Sequence, residues 1–460
     1  MVKDIRGLEV GATDPGAVEI LDRAIDGYLG ARAETGDHLR GALERDPDFV
    51  MAHLVRGYFM HLFAHRGLMA RARESLDAAR DAAGRVGATP REQAHIAALD
   101  AWCDGRPAET LRIHCEILID HPRDILALKL AEYWSFYSGD GAGMRDSIGR
   151  VLHAWDEGVP GHGFVLGMRA FALEETGAYD QAERLGREAV KRNPADIWAT
   201  HAVAHVMEMT GRAEDGAAWL DGLAANWDGI NNFTFHVWWH RALFALERGA
   251  FDEALALYDR EVRAESTRDF RDVTNAAALL WRFDQDGIEV GDRWIELAGQ
   301  SAPRAGEHVL AFADVHYMMA LASVDDRAAA RDLAQSAAEY ATRDDETQAG
   351  VMADSGHQIC AAILAYREGD YGAAVDILFP VRHLIRRIGG SHAQRDVFHQ
   401  MLIEAAIRAG RPALARALLS ERLQSRPASR PAWRRMAGVL DDLGDPAGAG
   451  RARATAEGLA

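Results

Sequence analysis

Glycines recur along this chain at a near-fixed interval, and that interval constrains the fold more than any other feature. Gly105 and Gly139 lie 34 residues apart, as do Gly177 and Gly211, and again Gly410 and Gly444. Steps of 38 join Gly139 to Gly177, Gly211 to Gly249, and Gly249 to Gly287. Prolines keep the same beat: Pro47, Pro122, Pro194 and Pro427 follow Gly30, Gly105, Gly177 and Gly410 by 17 residues. Such a register describes a helix–turn–helix unit repeated in tandem.

The segment GAYDQAERLGREAVKRNP shows how one unit works. Gly177 ends the first helix in a tight turn, Ala182 and Ala189 let two helices approach, and Pro194 closes the unit. These are the offsets of a tetratricopeptide (TPR) helix pair. Around Gly249 the apolar residues Leu243, Leu246, Leu255 and Tyr258 recur at helical spacing, and candidate strands bounded by turn signals are absent. The expected fold is all-α, a tightly curled TPR-like α-solenoid of about eleven helix pairs. It is read as one continuous array with N-terminal repeats (1–155), central His-bearing repeats (156–300) and C-terminal repeats with a cap (301–460). Insertions fall in the loops 158–163 and 228–232, whereas 61–83 and 301–356 fit the period less well. The polar last unit, from Arg430 onward, resembles a cap, which argues against open-ended polymers and leaves a compact dimer through a side face.

Composition removes several function classes. With 52 Lys+Arg against 70 Asp+Glu, the formal charge of -18 disfavours nucleic acid and anionic membranes as partners. Charge-free stretches such as 229–240 run about a dozen residues, too short to span a bilayer. The charged start lacks the apolar core of a signal peptide. Three cysteines without CxxC spacing give neither a disulfide framework nor a cysteine zinc site. The expected setting is a reducing cytoplasm.

Histidines are the candidate chemistry. The pairs His61/His65, His201/His205 and His236/His240 have i,i+4 spacing, which sets both imidazoles on one helix face. Ala202 stands where HExxH would carry its glutamate, so no tightly held structural zinc is expected. Counting back from Gly211 puts His201 and His205 on the groove-lining helix of one repeat, with His236 and His240 on that of the next. Neighbouring helices lie about 8–10 Å apart, so the four could converge. Trp198 and Trp239 would wall an apolar pocket, with His316 facing it if the array closes. Asp272, Asn275 and Asp314 sit on later groove helices. In SHAQRD (391–396), His392 and Arg395 open a helix whose amides could hold an anion, with Arg395 as its clamp. A packing contact between repeats is the other reading of Arg395 and Asp396.

Four long segments carry a family resemblance: HAVAHVMEMTGR (201–212), HVWWHRALFALERGAFDEALALYD (236–259), FADVHYMMALA (312–322) and GGSHAQRDVFHQMLIEAAIRAGR (389–411). Together they resemble the tetratricopeptide repeat protein 38 family over about the whole chain, departing from its pattern at Val237 and Ala313. The resemblance implies a TPR-like fold with His-bearing helices and supplies no established reaction or cofactor.

Two readings follow. In one, a His/Trp-lined pocket binds a small molecule, with His205, His236, His240 and His316 as acid/base or orienting groups and His201, Trp198, Trp239, Asp272, Asn275, Asp314, His392 and Arg395 as ligand contacts. In the other, the concave groove is a scaffold for a peptide or partner helix.

Overall fold

The computed structural model describes residues 2–343 and 346–459. Its described residues are overwhelmingly α-helical, joined by short turns. Among the described residues, strand is confined to a two-residue antiparallel pairing of Val2–Lys3 with Glu9–Val10, which periodicity is too coarse to detect.

Two compact units partition the chain. The first runs through Val203 and adds Ala225–Phe233 and 346–347. It is built from successive helix pairs: Pro15–Leu29 with Thr35–Arg45, Val50–Leu62 with Met69–Val86, Pro90–Cys103 with Pro107–Asp120, Ile125–Tyr137 with Gly141–Val151, and His162–Glu174 with Tyr179–Arg192. The second takes Ala204–Ala224, the stretch from Thr234 to 343, and Gln348 onward. Its main helices include Phe270–Gln285, Ala311–Ala322, His357–Arg367 and His392–Arg408. The helix Ile197–Met209 contributes its first half to the first unit and its second half to the second.

The glycine register has a local cause. Gly177 takes φ +80°, and the amide of Ala178 reaches back to the carbonyl of Leu173 at 2.8 Å. This six-to-one bond closes a Schellman turn, which requires the left-handed conformation that glycine adopts without penalty. The same bond follows Gly105, Gly139, Gly211, Gly249, Gly369, Gly410 and Gly444. Gly30 departs from the expected pattern. There Ala31 takes the left-handed position at φ 53°, and Arg32 bonds back to Gly27 at 2.7 Å, so the turn sits one residue later.

No atom lies within 4 Å of where a Gly177 side chain would begin. A Gly177→Val change therefore tests the backbone alone. It should cost about 1–2 kcal/mol in urea denaturation, the left-handed penalty of a side-chain-bearing residue. An unchanged midpoint would mean the turn relaxes.

Small residues act differently inside the pairs. A Cβ on Gly186 would meet Val203 at 2.6 Å, and Ala182 and Ala189 are fully buried, so these positions set helix approach. The poorly periodic stretches contain a single-turn 3-10 segment at Arg66–Leu68 before an 18-residue helix, and a π-turn at Met352–Gly356. Either irregularity shifts the phase of a repeat.

Candidate functional site

In the second unit, three histidines come together from two helices. His205 lies on Ile197–Met209, and His236 and His240 lie one turn apart on Phe233–Arg248. The rings of His205 and His240 are 4.3 Å apart between centroids, and those of His236 and His240 are 4.9 Å apart. One ring nitrogen from each lies within 4.8 Å of the others. His205 and His240 are fully buried, whereas His236 keeps partial exposure. At these separations the imidazoles touch one another, so nothing of organic size fits between them.

Fixed hydrogen bonds orient two of the rings. His240 Nδ1 is 3.0 Å from Glu208 Oε2, and a carboxylate accepts, so Nδ1 carries the proton and Nε2 the lone pair. His236 Nδ1 is 3.2 Å from Asn275 Oδ1. Gln394 Nε2 donates to that same oxygen at 3.4 Å, which identifies it as the amide oxygen and makes His236 Nδ1 a donor too. Trp239 is fully buried, stacks on His236 at 5.5 Å and meets His240 edge-on at 4.8 Å.

Burial keeps the imidazoles neutral. It pushes His240 down to about 3, with the charges of Arg282 and Arg426 adding to the effect. Burial and then the neighbouring His240 hold both His205 and His236 well below the usual histidine range.

Behind Glu208 lies an ionic network. Arg426 Nη1 donates to Glu208 Oε1 at 3.3 Å, and Arg426 Nε lies 3.9 Å from Asp396. Asp396 is paired with Arg422 through both of its oxygens. Arg282 is buried, donates to the carbonyls of Ala278 and Ala393, and faces the ring of Trp239 at 5.5 Å. Among these groups, Glu208, Arg282, Arg422 and Arg426 escaped the sequence reading. Glu208 had a signal: it follows His205 by three residues and His201 by seven, on one helix face. The arginines had none.

The other expected site residues have neighbours of their own. His201 and Trp198 belong to the first unit, where the His201 ring packs 5.4 Å from Phe171 and 5.3 Å from Trp198. Lys129 Nζ sits 3.4 Å above the Trp198 ring. Asp272 accepts from Thr267 Oγ1 at 2.6 Å, and Asp314 pairs with His308 at 3.2 Å. His316 Nδ1 donates to the Phe312 carbonyl at 2.7 Å, and the ring packs on Phe312 and Phe398. Burial first, then the charge of Arg282, lowers His316 to about 4.

Two expectations need correction. The helix carrying His61 ends at Leu62 because Ala64 turns left-handed at φ 45°, so His65 lies beyond it and the pair shares no helix face. His61 instead stacks on Trp102 at 4.9 Å, and His65 caps the short Arg66–Leu68 segment. The helix that His392 opens closes its own N-terminus with a Ser391/Gln394 capping box. Arg395 turns inward to the Gly390 carbonyl and lies 3.4 Å from His392 Nδ1. Those bonds use groups that an anion would otherwise meet.

Fold and site together define an all-helical, TPR-like repeat protein whose second unit buries a cluster of neutral histidines. No family model matches the chain. Among solved structures, the chain is similar to the human IFIT1 dimer with PPP-AAAA, at 12% identity over 98% of this chain and 96% of that one, with a TM-score of 0.42. It is also similar to yeast Tom70, at 12% identity over 89% and 92% with a TM-score of 0.34. A third likeness is to the TPR domain of P58(IPK), at 13% identity over 80% and 93% with a TM-score of 0.22. None of these likenesses bears on the histidine centre. No helix among the described residues is long and apolar enough to cross a membrane.

Proposed function

We propose that this helical-repeat protein is a binding protein for a small ligand, held at the centre formed by His205, His236 and His240. Membership of the tetratricopeptide repeat protein 38 family is part of the same reading, supported by the four long segments that carry the resemblance. The observation behind the proposal is the convergence of three imidazoles, two of which are oriented by Glu208 and Asn275. Three imidazoles are costly to bury together unless each meets a polar partner or a ligand.

The low proton affinity of these rings bears on their role. A base that holds its proton only near pH 3, as His240 does, is far from the value that favours proton transfer at neutral pH. Lone-pair donation and hydrogen bonding therefore suit the centre better than general acid/base catalysis.

Single His205→Ala and His240→Ala variants, screened with the wild type against a panel of metal ions and small inorganic ligands by thermal shift, test the reading. The expected result is native helicity by circular dichroism in both variants and loss of any stabilising response seen in the wild type. Unfolding of both variants would make the cluster a structural layer.

A further inference from the structure

The geometry points to a divalent first-row transition ion, zinc foremost, as the occupant of this centre, coordinated by His205, His236 and His240. The inference rests on the reading of the cluster as a binding site and names what it binds.

Size comes first. Ring centroids 4.3 and 4.9 Å apart leave space for a single ion and exclude an organic molecule. In a tetrahedral zinc site with nitrogen ligands at about 2.0–2.1 Å, the nitrogens stand roughly 3.3 Å from one another. The three histidines already bring one nitrogen each within 4.8 Å. Closing the remainder takes about 1.5 Å at most per pair, within reach of small side-chain rotations.

The tautomers come second. A metal-ligating histidine characteristically gives its other ring N–H to a carboxylate or a carbonyl oxygen, which fixes the ring and raises its basicity. His240 gives Nδ1–H to Glu208, and His236 gives Nδ1–H to Asn275. Both bonds put the lone pair on Nε2. Each orienting group is itself held, Glu208 by Arg426 and Asn275 by Gln394. Supporting shells of this kind are characteristic of metal-ligating histidines.

Ligand chemistry comes third. An all-imidazole set suits zinc, cobalt, nickel or copper and is poor for calcium or magnesium, which take oxygen. The missing HExxH glutamate, which argued against zinc in the sequence, bears on a protease-type mechanism and not on binding. The nearby cations do not forbid an ion: Arg282, Arg422 and Arg426 are met by Glu208, Asp396 and Glu247, so the surrounding network is close to balanced.

The test uses the full-length chain after chelator treatment and dialysis. Zinc binding is followed by calorimetry, and Co2+ binding by its visible ligand-field absorption. One ion per chain is expected for each metal, with the intense bands of a low-symmetry cobalt site. His240→Ala and His236→Gln should lose stoichiometric binding. Glu208→Gln, which acts through His240 as a positioning residue, should weaken it about 10–100-fold. His236 is partly exposed, so its glutamine variant guards against misfolding, with circular dichroism as the check. Failure of both metals to bind, or equal affinity in wild type and the His240 and His236 variants, overturns the inference. If neither metal binds but the His205→Ala and His240→Ala variants stay folded and lose a response to another ligand, the ion is wrong and the binding site stands.

Discussion

Replacing Asp396 by asparagine should destabilise the second unit by about 3–5 kcal/mol, the cost of leaving buried cations without their counter-charge. Asp396 is buried and bonded through both oxygens to Arg422, and Gln400 Nε2 donates to it at 2.6 Å. Burial alone would raise its pKa, but Arg422 and Arg426 outweigh that and hold the carboxyl well below the usual range. A depressed carboxylate pKa contributes stability that is present above the unfolded value near 3.8 and lost only in stronger acid, so the effect is complete at neutral pH. Asparagine keeps the shape and removes the charge, leaving Arg422, Arg426 and Arg282 to repel one another. Urea denaturation at pH 7 reads the loss. A double variant, Asp396→Asn with Arg422→Met, should recover part of it, because one uncompensated charge is gone. A loss under about 1 kcal/mol would show that water reaches the network and screens it.

Acid should destabilise the first unit through histidines that fold neutral, and His114 gives the clearest case. It is fully buried and lies 3.4 Å from the Tyr58 hydroxyl. Burial, followed by the proximity of His95, lowers it to about 3. The unfolded chain titrates near 6.5, so the unfolded state binds the extra proton first as pH falls. The contribution of a neutral His114 is therefore whole above pH 6.5 and shrinks by about 1.4 kcal/mol per unit below it. By pH 3 the loss from this one group reaches about 4–5 kcal/mol. His61, stacked on Trp102 and also lowered to about 3 by burial, adds a second term of the same sign. A His114→Gln variant retains a polar partner for Tyr58 and cannot titrate. Its stability relative to wild type should rise steadily on acidification from pH 6.5. Parallel stability curves for the two proteins would mean that His114 takes up its proton without unfolding.

Local chemistry was legible in the sequence wherever it depends on a few consecutive residues. Gly177 and its counterparts announced their turns because a Schellman turn is closed by one short-range bond. Gly30 misled by one position because Ala31 accepted the left-handed conformation in its place. The i,i+4 histidines at 236 and 240 were readable as one face because the helix is continuous from Phe233 to Arg248. His61 and His65 failed the same rule because the helix stops between them, and nothing in the spacing marks Ala64 as a stop.

By itself, then, the sequence determined an all-helical chain of paired helices, the places where most of those pairs turn, and the helix faces that carry histidine. Tertiary structure decided the rest. Arg426 reaches Glu208 across 218 positions, and Gln394 reaches Asn275 across 119. Contacts of that range depend on how helices pack after they form, and hydrophobic period and turn chemistry carry no record of them. The same packing selects which nitrogen of His240 and of His236 holds the proton, because the acceptors come from other helices. It also sets the burial that keeps the rings neutral, a property of the whole surrounding unit and not of any residue's neighbours in the chain.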